Sequence, residues 1–187
     1  MKKQLSFLTL SAIALLAVAS IFSSCDQTVD TSFDKEFTNV TFSVPAYPNT
    51  IDTTVASIVV NPNLEDFAKT SGFTLADIKS ITVKSATISI KDTTTKFTPV
   101  TFDIIDRVTL LLYNPANNDK IYITDQTPTH NSATELACDV DKTADVAPFL
   151  KASEFYFQFG AKTNKGTDHV VPMALNVTFT IVATIKK

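Results

Sequence analysis

The 187-residue chain has no Trp, three scattered Gly, two Cys, two His and a single Arg, Arg107. So few glycines exclude a Gly-rich phosphate loop, and neither G-x-S-x-G nor H-E-x-x-H occurs. Two Cys, at 25 and 138, cannot supply a paired-Cys zinc site. The formal net charge is −3. A mildly acidic chain with one Arg lacks the clustered positive charge that nucleic acid requires, so no nucleic-acid partner is expected. Few Gly and eight Pro also exclude collagen-like or low-complexity character.

What is present is distributed unevenly. Met1-Lys2-Lys3 is a short basic segment, and Leu5–Phe22 is apolar apart from Ser6, Thr9, Ser11 and Ser20. Small residues follow at Ser23-Ser24-Cys25, and polar ones at Asp26-Gln27-Thr28. Basic, apolar and small residues in that order describe a secretory signal peptide over 1–24. The apolar run is slightly short for the ~20 residues of a bilayer-spanning helix. Removing the signal leaves 163 residues with 14 Lys and Arg against 19 Asp and Glu, a length suited to one domain with a substantial core.

Two cleavage sites are consistent with the sequence. Ala17-Val18-Ala19 fits the small-x-small pattern of ordinary signal peptidase and would release a soluble protein starting at Ser20. Phe22-Ser23-Ser24-Cys25 instead resembles the lipobox of bacterial lipoproteins, with Phe22 where that motif usually has Leu. A lone Cys directly after an apolar segment favours this second site. Taken together, Ile21–Cys25 is most similar to the looser lipoboxes of single-domain envelope lipoproteins of the Bacteroidetes type. The resemblance is confined to the signal and carries over only Cys25. It implies a diacylglyceryl thioether plus an N-acyl chain (palmitate or a similar acid) on Cys25, and an address in the bacterial cell envelope, the outer membrane first. At ~0.8 kcal/mol per buried methylene, two or more chains anchor a protein stably. Cys138 is then left without a partner and reads as a small buried apolar residue.

Residues 25–36 read as the lipidated Cys followed by a polar tether, with Asp26, Asp30, Asp34 and Glu36 spread through it. About ten extended residues reach ~35 Å. The folded domain is then expected over 37–187.

Within that domain the dominant period is two. Leu175, Val177, Phe179, Ile181, Ala183 and Ile185 alternate with polar positions, as do Phe155, Phe157 and Phe159, and Val108, Leu110 and Leu112 form a third row. The apolar phase slips by one between Val83 and Ala86, which predicts a β-bulge near Lys84-Ser85. Further strands are predicted at Phe37–Val44, Thr53–Val60, Lys120–Asp125 and Thr134–Val140, about eight in total. Two short helices interrupt them. Asn61 reads as an N-cap with Pro62 at the first helical position and Gly72 as the stop, and Asp145 precedes a second helix over Val146–Lys151. The two helix-linked segments could be a faint duplication or two crossovers between sheets. Asn114–Asp119 has hairpin-turn chemistry. Together these features predict a mainly β fold, a single antiparallel β-sandwich, Ig-like or jelly-roll-like, with two short linking helices.

Candidate chemistry is sparse. His130 and His169 sit in polar loops and read as solvated. Asp139, Asp141 and Asp145 form a weak carboxylate cluster for a cation, without the Gly or late Glu of a calcium loop, and Asp145 is already assigned as a helix cap. Tyr47 and Tyr122 are candidate sugar contacts. No cofactor is expected. The reading is a lipid-anchored, non-enzymatic envelope protein with a binding or scaffolding role, its protein or glycan partner unknown. The alternatives are a fimbrial subunit, which would mature by cleavage at Lys35, and an envelope enzyme or inhibitor.

Overall fold

The computed structural model describes residues 28–92, 97, 99–129 and 132–186. Cys25 and His130 lie outside the described residues. The strands are β1 (Thr28–Val44), β2 (Asp52–Val60), β3 (Ile78–Ile90), β4 (Ile105–Asn114), β5 (Asp119–Gln126), β6 (Glu135–Ala137), β7 (Phe155–Thr163) and β8 (Val171–Lys186). Among the described residues the α-helices are α1 (Leu64–Thr70) and α2 (Ala147–Leu150). Sheet I has the order β1-β8-β3-β6 and sheet II the order β2-β7-β4-β5.

The pairing follows one rule. Strand β1 lies on β8, β2 on β7, β3 on β6 and β4 on β5, all antiparallel. The chain is one long hairpin with its tip at the β4–β5 turn. It is rolled so that β3 also pairs with β8, and β4 with β7. This is a jelly roll, so the predicted β-sandwich is present and of the second expected kind.

Alternation in each strand delivers one face to the core. Phe155, Phe157 and Phe159 of β7 and Phe179 of β8 are fully buried. Phe37 of β1 meets Phe155, Phe157 and Phe179 edge-on, at ring distances of 5.9, 6.2 and 5.7 Å. Each such pair adds about 0.5–1.5 kcal/mol beyond the burial of its area. The predicted bulge is present between Val83 and Ser85. A second one, between Phe37 and Val40, has Asn39 in a left-handed conformation (φ 54°) and moves the inward face from odd to even residues. Its sequence signal is the three-residue step from Phe37 to Val40.

Several expectations are corrected. Residues 28–36 are not a tether but part of the edge strand β1, so the sandwich already includes Thr28. Asp30, Asp34 and Glu36, which suggested solvation, lie on its outer face. Asp30 accepts a hydrogen bond from Thr184 and pairs with Lys79 at 2.7 Å, while Asp34 accepts from Thr180 and pairs with Lys84. Helix α1 starts at Leu64, after Asn63 in a left-handed conformation, rather than at Pro62, and the Asn61 side chain instead accepts from the Asn63 N–H. Gly72 ends it as expected, at φ 83°, with the Phe73 N–H returning to the Ala68 carbonyl. Both helices are crossovers between sheets, since α1 leads from β2 to β3 and α2 from β6 to β7. Strand β6 is shorter than Thr134–Val140. Beyond it the chain runs along the edge of β3, where the Ile81 N–H donates to Asp145 Oδ1 and the Val146 N–H to the Ile81 carbonyl. That loop closes an edge which would otherwise offer unpaired backbone.

Candidate functional site

The two ends of the sandwich differ. At one, Thr28 pairs with Lys186. At the other, β1 ends opposite the start of β8 (Val44 with Val171), and the β1–β2, β3–β4 and β7–β8 loops converge. The β1–β2 and β7–β8 loops are stitched by the Thr167 N–H donating to the Tyr47 carbonyl at 2.7 Å and the Tyr47 N–H donating to Thr167 Oγ1 at 3.2 Å. Gly166 is required there, because a Cβ would stand 2.4 Å from the Tyr47 carbonyl oxygen and 2.6 Å from the Pro48 carbonyl carbon.

Beneath these loops a narrow apolar cavity of about 30 Å³ opens between the sheets, lined by Val44, Tyr47, Ile90, Ile104, Phe159 and Met173 among others. It leads to a wider groove of about 560 Å³ with a mixed rim that includes Pro48, Pro99, Thr101, Asp103, Lys165 and Asp168. Tyr47, Val100, Ile104, Lys165 and Thr167 border both spaces.

His169 joins two of the loops that frame this end. Its Nδ1 lies 2.6 Å from Asp168 Oδ1 and its Nε2 lies 2.9 Å from Asp92 Oδ2. The Phe97 ring stacks on the imidazole at 5.0 Å and 8°. Asp92 Oδ2 also accepts from the Val100 N–H at 2.8 Å, so the same carboxylate holds the part of the β3–β4 loop that borders the groove. The His169 side chain is 10% exposed and that of Asp92 2%, which corrects the expectation that His169 is solvated. Both ring nitrogens face carboxylate oxygens, an arrangement that the imidazolium form satisfies by donating from both. The hydrogen bond to Asp168, then that to Asp92, raise the His169 pKa above its ordinary value. In the imidazolium form both nitrogens are engaged and the ring has no lone pair to take a proton from a substrate.

The other sequence candidates do not assemble. Asp145 Oδ1 accepts from Ile81 and Ala147 backbone N–H groups, Asp141 Oδ1 from the N–H and hydroxyl of Thr143, and Asp139 contributes its N–H to Gln126 Oε1. Among the described residues no group of three His, Cys, Asp or Glu comes together to hold a metal ion. Cys138 is half-buried, and burial pushes its thiol up to about 12. Lys35 points inward from β1, with its ammonium 5.3 Å from the Phe37 ring centre and 4.9 Å from that of Phe67. Tyr47 is packed at the cavity mouth, whereas Tyr122 is 49% exposed on the outer face of sheet II. The His169–Asp92 contact escaped the sequence reading because the partners are 77 residues apart. A local signal was available only for Asp168, its chain neighbour.

No protein-family model matches the chain, and no curated protein matches it. Solved structures to which the chain is similar include the VP2 subviral particle of infectious bursal disease virus (10% identity, TM-score 0.36, 83% of this chain and 33% of that one). They also include the nodavirus particle of the prawn Macrobrachium rosenbergii (11%, TM-score 0.34, 89% of this chain and 88% of that one). A third is the family 32 carbohydrate-binding module of C. perfringens NanJ, in complex with galactose (14%, TM-score 0.33, 80% and 99%). The chain spans about a third of the length of the VP2 protein.

Proposed function

We propose that this chain is a lipid-anchored, non-enzymatic protein of the bacterial cell envelope, which binds a partner through the open end of its jelly roll. The observation that carries the reading is the spacing between the lipobox-like Phe22–Cys25 and the first strand. Only Asp26 and Gln27 separate Cys25 from Thr28, so an acylated Cys25 stands within about 10 Å of the sandwich. Thr28 belongs to the end of the sandwich opposite His169 and the groove. An anchor at Cys25 therefore keeps the Thr28 end close to the lipid and turns the groove away from it. A binding rather than catalytic role is supported by the engagement of both His169 nitrogens and by the protonated Cys138 thiol.

Metabolic palmitate labelling of wild type and Cys25→Ser, combined with protease shaving of whole cells, tests the reading. Label lost with the substitution is expected. Label persisting in Cys25→Ser overturns the anchor. Recovery of a ladder of SDS-resistant multimers beginning at Glu36 supports the fimbrial alternative instead.

A further inference from the structure

The outer faces of the two sheets differ in chemistry. Sheet I presents Asp–Thr–Lys rows, Asp30–Thr184–Lys79 and Asp34–Thr180–Lys84, which are internally neutralised and solvated. Sheet II carries three of the four tyrosines, Tyr113, Tyr122 and Tyr156. Strand pairing places them in adjoining rows, with Tyr156 beside Tyr113 and Leu111 between Gln158 and Tyr122.

Next to these rows the face dips. Gly160 pairs with Thr109, whose hydroxyl takes the space that a Gly160 side chain would fill, and beside them lies a depression of about 170 Å³ walled by Asp52, Thr53, Arg107, Thr109, Tyr122 and Lys162. Arg107 is fixed at its margin by a two-pronged pair, Nε to Asp125 Oδ1 at 2.6 Å and Nη2 to Asp125 Oδ2 at 2.5 Å. The pair leaves further guanidinium N–H donors and carboxylate lone pairs beside the dip.

We propose that this depression is a binding site for a neutral saccharide, with the exposed Tyr122 ring against one face of a sugar and Thr53, Thr109 and the Arg107–Asp125 pair meeting its hydroxyls. Three features select that class of ligand. The charges around the dip are Arg107 and Lys162 against Asp52 and Asp125, which cancel, so neither an anion nor a cation is favoured. Donors and acceptors alternate over a short distance, which suits a ring bearing several hydroxyls. Tyr122 offers a flat, amphipathic surface of the kind that packs on the C–H face of a sugar while its hydroxyl stays wet. The strands hold these side chains on a rigid sheet, so little ordering cost opposes binding. This site is distinct from the groove at the loop end and does not depend on the lipid anchor. A chain that fails to take up palmitate can still bind sugar, and the reverse.

The test uses the full chain in a zwitterionic detergent, without a sugar headgroup. Maltohexaose, mannohexaose and xylohexaose are titrated, with sialyllactose as the anionic control. Saturation-transfer and amide-shift NMR read the outcome. At least one neutral oligosaccharide is expected to shift the amides of Thr53, Thr109, Tyr122 and Gly160. Tyr122→Ala is expected to weaken it by about tenfold or more while the remaining amide spectrum is unchanged. The proposal is overturned if no neutral oligosaccharide shifts these amides at millimolar concentration. It is equally overturned if sialyllactose binds better, if the shifts map to the groove around Tyr47, or if Tyr122→Ala binds as the wild type does.

Discussion

His169 Nε2 lies 2.9 Å from Asp92 Oδ2, and this contact ties the β7–β8 loop to the chain leaving β3. With Asp168 on the other ring nitrogen and Phe97 stacked on the ring, the imidazolium closes one side of the loop end. A neutral ring can donate from one nitrogen only, so deprotonation removes one of the two bonds and leaves one carboxylate oxygen facing the ring's lone pair.

The pH dependence follows in sign from the raised His169 pKa. Stabilisation by this group is fully present below its unfolded pKa of about 6.5. It is lost as pH rises through the higher folded value. Thermal melts across that range are expected to show the gap between wild type and His169→Ala at its widest at the acid end and narrowing as pH climbs. A gap constant with pH would show that the ring acts by packing alone.

Asp145→Ala removes the acceptor shared by the Ile81 and Ala147 N–H groups. Ile81 is fully buried, so a donor there stays without a partner. A loss of about 1–3 kcal/mol is expected, seen as a lower urea midpoint at an unchanged slope. Asp145→Asn, which keeps a carbonyl oxygen, is expected to lose less.

At Gly166 a methyl group would meet the backbone of Tyr47 and Pro48 at 2.4–2.7 Å, and backbone cannot swing aside as a side chain can. Gly166→Ala is expected to cost about 1–3 kcal/mol. Its amide-shift changes should be concentrated at Tyr47, Thr167 and the groove. A spectrum unchanged at Tyr47 would contradict the close approach.

The Cys138 thiol, pushed up to about 12 by burial, is protonated at neutral pH and at pH 8. A disulfide reagent such as dithionitrobenzoate is expected to leave Cys138 unmodified in the folded protein and to react promptly after addition of guanidinium. Rapid modification of Cys138 in the native state, identified by peptide mass, would contradict the burial.

Local pattern carried much of this fold. The period of two in β7 and β8, the phase slip at Lys84-Ser85, the Asn114–Asp119 turn and the Gly72 stop are encoded by residues within reach of one another, and each stands where the sequence puts it. Thr28–Glu36 misled because an edge strand with an acidic outer face has the composition of a tether. Only pairing with β8 and the partners Lys79 and Lys84 distinguish the two.

By itself the sequence determined that the chain is a β-sandwich with two short linking helices, because alternation and turn chemistry are local properties; that the helices cross between sheets is a tertiary result. The tertiary structure decided the strand order β1-β8-β3-β6 and β2-β7-β4-β5, the burial of His169 between Asp92 and Asp168, and the gathering of Tyr113, Tyr122 and Tyr156 on one face. Those depend on which strands meet. Backbone hydrogen bonding is alike for every strand pair, so the choice of partners falls to long-range packing of the rolled hairpin rather than to any short stretch of residues.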